Sequence, residues 1–197
     1  MTGKKHPVKP KKNGASTGLW RALAIALITI IGGIAVLAIF EDRLIKPRIP
    51  EKTSLNEKNE KQVDIFFSSE DGEYLRAERW GIRPGTTESE IREALAALIK
   101  GPRNSRYGKT LPVGVRLLNV NVKDSTAIAN FSSEIIRNHP GGSSGELQTI
   151  YSIVDTITLN FKNIKDVQIL VEGKKEKTLA GHIDISLPLG PDRKIIS

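Results

Sequence analysis

The chain is predicted to be an α+β protein. The expected architecture is a two-layer sandwich, an antiparallel-rich mixed sheet with two helices on one face, preceded by one N-terminal transmembrane helix. Three observations predict it. Short β-branched and aromatic runs bounded by turn residues recur through the C-terminal part of the 197 residues. Two segments between those runs repeat apolar residues at steps of three and four, which places them on one helix face. Ahead of both, Ala22 to Phe40 runs nineteen residues without a charge, enough at about 1.5 Å per residue to cross a hydrocarbon core of ~30 Å.

Taken in order, residues 1–18 form a basic tail expected to be cytoplasmic, and residues 19–40 the membrane-spanning helix, with Trp20 as an interfacial anchor. Lys4, Lys5, Lys9, Lys11, Lys12 and Arg21 precede the apolar run, and no acid accompanies them. Positive residues stay inside, so the expected topology is single-pass in the cytoplasmic membrane, N-terminus in, with the domain extracytoplasmic (periplasmic). A cleaved signal peptide is the competing reading, but the apolar run exceeds the usual ~7–15 residues and no A-x-A site follows. Residues 41–61, with Pro47, Pro50 and mostly Glu, Lys, Asn and Ser, read as a polar linker too poor in apolar side chains to fold alone.

The domain is expected over residues 62–190, with a short tail at 191–197. Val63–Phe67 and Tyr74–Ile82 read as two strands of a hairpin around the turn-rich Ser68–Gly72. A helix follows, with Thr87 as N-cap and Glu90 completing a capping box. Ile91, Ala94, Leu95, Leu98 and Ile99 form its apolar face, and Gly101-Pro102 ends it. Arg103–Thr110 is a polar, basic loop. Val115–Val122 and Thr126–Phe131 pair around Lys123-Asp124-Ser125, and Ser132–Ile136 suits a short helical turn. Ser143 starts the second long helix with Glu146 as its capping partner, and Leu147, Ile150, Val154, Ile157 and Phe161 form its stripe. Strands are expected at Val167–Val171 and Ile183–Leu187.

The formal charge of +8 does not mark a nucleic-acid binder. Removing the six cations of the first 21 residues leaves +2, and beyond them basic and acidic residues interleave as on a solvated surface. The absence of cysteine excludes disulfides, thiol catalysis, cysteine-held metals and an acylated cysteine. His6, His139 and His182 have no metal-ligand spacing and read as three separate surface histidines. No G-x-S-x-G occurs, and Gly141-Gly142-Ser143-Ser144-Gly145 lacks the GK of a phosphate loop. It is explained as a flexible turn into a capped helix. Its remaining functional reading is an interaction loop of Gly141, Gly142, Ser143, Ser144 and Glu146, where a helix N-terminus could meet a partner carboxylate. Glu134, Glu146 and Asp155 are the carboxylates a glycan-cleaving site would need, but no spacing sets two of them at working distance. No catalytic residue, no metal, no cofactor and no small-molecule substrate is expected.

Several stretches together resemble a known family. Val63–Phe67 is similar to a V-x-I/L-Y/F-F strand, Ala94–Pro102 to an ALxxLLxGP helix end, and Leu111–Val115 to IPxGT. Ala127–Ser132 is similar to AxVDFS, Gly142–Glu146 with Ile153–Thr158 to GGSxxE and IVxTLT, and Val167–Gly173 to VxxLVEG. Six pieces in this order, covering nearly all of residues 62–187, resemble the GerMN domain of sporulation and germination proteins. The resemblance implies a non-enzymatic extracytoplasmic module that assembles or stabilises an envelope protein complex, or self-assembles, with a fold like ring-building domains of secretion channels. The alternative is a peptidoglycan-binding or peptidoglycan-cleaving protein using Glu134 or Glu146. The chain departs from the pattern at Asn130, where the family has Asp, and in carrying an apolar helix where relatives carry a lipidated cysteine.

Overall fold

The computed structural model describes residues 59–197. The expected tail and membrane helix, and the linker up to residue 58, lie outside the described residues. Among the described residues no helix is long and apolar enough to cross a membrane.

Strand β1 (Lys61–Ser68) pairs antiparallel with β2 (Leu75–Ile82), with Asp64 opposite Arg79 and Phe67 opposite Arg76. Gly72, at φ 74°, takes the left-handed position of the connecting turn, where an L side chain would be strained. Helix α1 (Thr87–Lys100) starts one residue earlier than the sequence suggests. Thr86 is the cap, its hydroxyl accepting the N–H of Ser89 at 3.3 Å, because Thr86 is the last extended residue. Glu90 still reaches back, but to the N–H of Gly85, and it also receives Lys61 Nζ at 2.5 Å. Gly101, at φ 95°, ends the helix by donating to Ala97 and Leu98.

Strand β3 (Leu117–Lys123) pairs antiparallel with β4 (Thr126–Phe131). A single turn α2 (Glu134–Arg137) and the long helix α3 (Ser143–Thr158) then carry the chain to β5 (Asp166–Val171), which pairs parallel with β4. A one-turn 3-10 helix at Arg193–Ile195 closes the fold.

The α+β class holds, with one revision of the sheet. Its strands form two sheets, β1-β2 and β3-β4-β5, where one mixed sheet is expected. The physical reason lies in α3 and in Asn160, two residues past its end. The outward-facing N–H of Phe66 donates to Thr156 Oγ1 (3.2 Å), and Asn160 accepts the N–H of Asp64 (2.8 Å) while donating to its carbonyl (2.7 Å). Ser68 and Gly108 exchange both backbone bonds. The edge of β1 is thereby closed by side chains and a loop, so no strand can join it.

The expected strand Ile183–Leu187 is not one either. Asp184 draws the N–H and hydroxyl of Ser186 onto its own carboxylate, which competes with a ladder. Only Leu189 makes a bridge, to Val167. Helix α3 also departs from the single stripe. Nearly every residue from Ile150 to Ile157 is buried, Ser152, Asp155 and Thr156 included, because α3 packs on β1, β5 and α1 together. The core runs from Ile65, Phe67 and Leu95 through Ile150, Ile153 and Ile157 to Ile169.

Candidate functional site: the connector into helix α3

The connector begins at His139. Its Nδ1 accepts the N–H of Gly141 at 3.0 Å, so its Nε2 carries the proton and donates to Thr149 Oγ1 at 3.1 Å. Thr149 in turn donates to the carbonyl of Thr110 at 2.6 Å. Burial pushes the His139 imidazole below its ordinary pKa, against the opposing charge of Glu146. His139 is therefore a neutral strut rather than a free surface histidine.

Gly141 and Gly142 follow at φ 85° and 81°, with open space where a Cβ would stand. Gly142 caps α3 without a side-chain hydrogen bond, and Ser143 and Ser144 are exposed. Four of the five residues of the expected interaction loop are thus at the surface, around uncapped helix amides.

Glu146 is placed differently. Its side chain is fully buried, 0 % exposed, and does not cap α3. One oxygen accepts the N–H groups of Leu179 and Ala180, both at 2.8 Å, and the other accepts His182 N–H at 2.8 Å and faces His182 Nδ1 at 3.1 Å. Burial works against the charge, but the N–H groups of Ala180, His182 and Leu179 outweigh it and hold the carboxyl below its usual range. The expected capping box fails because this concave run of amides binds a carboxylate better than one helix N–H does. Glu146 therefore belongs to the interior and clamps the loop 178–182.

The three carboxylates considered for catalysis do not come together. Glu134 lies on α2, paired with Arg137 and held at about 2 by the Ser132 hydroxyl first of all. Asp155 is wholly inside α3, its Oδ1 accepting the N–H of Asp192 at 3.1 Å while Oδ2 has no partner. Burial pushes Asp155 up to about 7, the Asp192 N–H and Arg193 opposing and the Asp192 charge adding. No partner is shared between any two of the three. Among the described residues, no group of three or more His, Cys, Asp or Glu side chains could hold a metal ion.

Sequence reasoning missed what these polar residues of α3 do. Glu146, Thr149, Asp155 and Thr156 each fasten a different distant segment, the 178–182 loop, Thr110, Asp192 and β1, and Asn160, just past the helix, fastens β1 as well. The available signal was that four buried-type positions of an apolar helix carry polar side chains, which must find partners.

The sequence model of the family described as "Germane: Sporulation and spore germination" matches residues 64–177. Among solved structures, the chain is similar to a Clostridium perfringens protein described as a lipoprotein, at 30 % identity over 68 % of this chain and 89 % of that one, TM-score 0.49. It is similar to the tandem GerMN domains of the sporulation protein GerM from Bacillus subtilis, at 24 % identity, 68 % and 47 % coverage and TM-score 0.55. The first GerMN domain of that protein aligns at 21 % identity, 68 % and 98 % coverage and TM-score 0.50. These two likenesses speak for the fold, and this chain spans about half of the tandem pair. No curated protein matches the chain.

Proposed function

This chain belongs to the Germane family and carries a GerMN-type sporulation and germination domain, and we propose from that premise that it is a membrane-anchored docking module of the cell envelope. Ala22–Phe40 spans the cytoplasmic membrane with the N-terminus inside, and the polar linker holds the domain on the outer side. The domain works without catalysis, by binding an envelope protein or a second copy of itself and so stabilising a complex.

The observation that carries the reading is the state of the candidate carboxylates. Glu146 and Asp155 are buried and Glu134 is ion-paired, so none is poised in a cleft to pass a proton to a glycan. What the domain offers a neighbour is surface. The exposed Gly141–Ser144 connector, held from beneath by His139, is one such surface.

Crosslinking in native membranes tests it. The expected result is a specific envelope protein or a defined higher-order species trapped on the domain. A domain that stays monomeric and partnerless at native abundance would overturn the reading.

A further inference from the structure

The interleaving of charges fails in one place. From Ala94 to Lys123 the chain holds six cations, at 100, 103, 106, 109, 116 and 123, and no acid. Two of them meet at Trp80. The Arg103 guanidinium lies 3.7 Å from the ring centroid and Lys100 Nζ lies 5.9 Å from it. Trp80 is only 6 % exposed, and Glu78 fixes it: Oε2 accepts the indole N–H at 2.8 Å and the N–H of Arg103 at 3.0 Å, while Oε1 accepts that of Asn104 at 2.8 Å. Glu78 thus holds the indole and the loop backbone. Neither Lys100 nor Arg103 has a carboxylate at ion-pair distance among the described residues.

Beside this stack opens a groove of about 350 Å³, lined by Trp80, Ile82, Ala96 and Ala97 between β2 and α1. At its far end Glu93 accepts the N–H of Arg83 at 2.9 Å and its guanidinium at 2.5 Å, so that cation is neutralised. Glu60 packs over Gly81 on the opposite face of the strand. The groove is therefore apolar in the middle and cationic at one end only.

We propose that this groove docks an acidic protein segment, with one apolar side chain over Ile82, Ala96 and Ala97 and a carboxylate across Lys100 and Arg103. The inference deepens the reading of the domain as a docking module and rests on it. Charge complementarity selects the acid: Glu78 offsets Arg103 in part, but neither cation has a carboxylate at ion-pair distance, and two such cations beside an apolar surface gain most from a carboxylate laid across them. The concave apolar lining selects a protein segment over a lipid surface, which needs only a flat basic face.

The test uses the full chain with Trp20→Phe, which leaves Trp80 as the single tryptophan. The probe is a soluble decapeptide of glutamate and serine around one leucine, with its lysine-for-glutamate counterpart as control. The acidic probe should shift Trp80 emission saturably and the lysine peptide should not. Lys100→Glu should weaken the affinity roughly tenfold or more. Ala96→Arg, at an exposed position, adds charge while filling the groove, and should abolish the shift. No shift with the acidic probe, equal shifts with both peptides, tighter binding by Ala96→Arg, or displacement of the probe by phosphatidylglycerol vesicles would overturn the proposal. A crosslinked envelope partner that ignores Lys100→Glu and Ala96→Arg removes the groove and leaves the docking module. Loss of every partner removes the module itself.

Discussion

The hydroxyl of Thr156 accepts the backbone N–H of Phe66 at 3.2 Å, across ninety residues of sequence, and so turns a helix side chain into the closing partner of a strand edge. Thr156→Val keeps the shape and leaves a buried N–H without an acceptor, which should cost ~1–3 kcal/mol. Thr156→Ser should recover most of it. Denaturant unfolding of the two variants decides the matter, and equal stability of both with the parent would show that the edge is closed by packing alone.

Asp155 makes stability fall with rising pH. Its carboxyl is pushed up from 3.8 to about 7 in the folded chain, so its contribution is complete below pH ~4 and is lost as pH rises toward 7. The full loss is on the order of 4 kcal/mol. Glu146, held low, acts in the opposite sense and only under acid conditions. Urea unfolding at stepped pH should therefore show a descending limb between pH ~5 and ~7 that Asp155→Asn flattens. A limb unchanged in that variant would assign the proton elsewhere.

Glu146→Gln should loosen the 178–182 loop. The amide can accept at one atom only, so at least one of the three N–H donors loses its partner, at ~1–3 kcal/mol. Hydrogen exchange at Leu179, Ala180 and His182 should quicken while exchange in β4 stays slow. Unchanged protection at those three amides would mean the loop is held without the carboxylate.

Peptidoglycan incubated with the full chain should release nothing, with or without Glu134→Gln. Release that vanishes in Glu134→Gln, with unfolding curves unaltered, would make the protein a wall hydrolase.

The anchor is tested by substitution at its centre. Ile30→Arg should weaken insertion by ~2.5–3.5 kcal/mol, and adding Val36→Arg should drive the chain out of the carbonate-resistant membrane fraction. Retention of the double variant, or a soluble form starting near residue 41, would refute a membrane-spanning Ala22–Phe40.

Local chemistry made much of this fold legible. The Gly101-Pro102 stop and the three-and-four spacing of α1 act within a few residues, where sequence patterns carry the energetics, and the cap expected at Thr87 fell one residue off, at Thr86. What escaped is long-range. Asn160 and Asp64 are 96 residues apart, and Glu146 and Leu179 are 33 apart, so nothing near Glu146 distinguishes a helix cap from an interior clamp. The split into two sheets follows from the distant bonds of Asn160 and Thr156 to β1. At the connector, the glycines were readable from their own conformational demands, whereas the burial of Glu146 depended on a loop whose position no local pattern records. The Trp80 groove left a trace of its own, the acid-free run from Ala94 to Lys123, which only matters once the fold stacks Arg103 on the ring.

The match to the family model ends at residue 177, and the three amides that hold the Glu146 carboxylate begin at residue 179. The matched span and the self-sufficient fold thus have different borders in this chain. A fragment trimmed to residues 64–177 would retain a charge lodged in the interior and discard the amides that make it tolerable there. Evolutionary kinship is read from what relatives share, but a fold is finished only where its last interior charge is answered. For Glu146 that point falls in a short stretch, Leu179 to His182, just past the last residue that the family model matches.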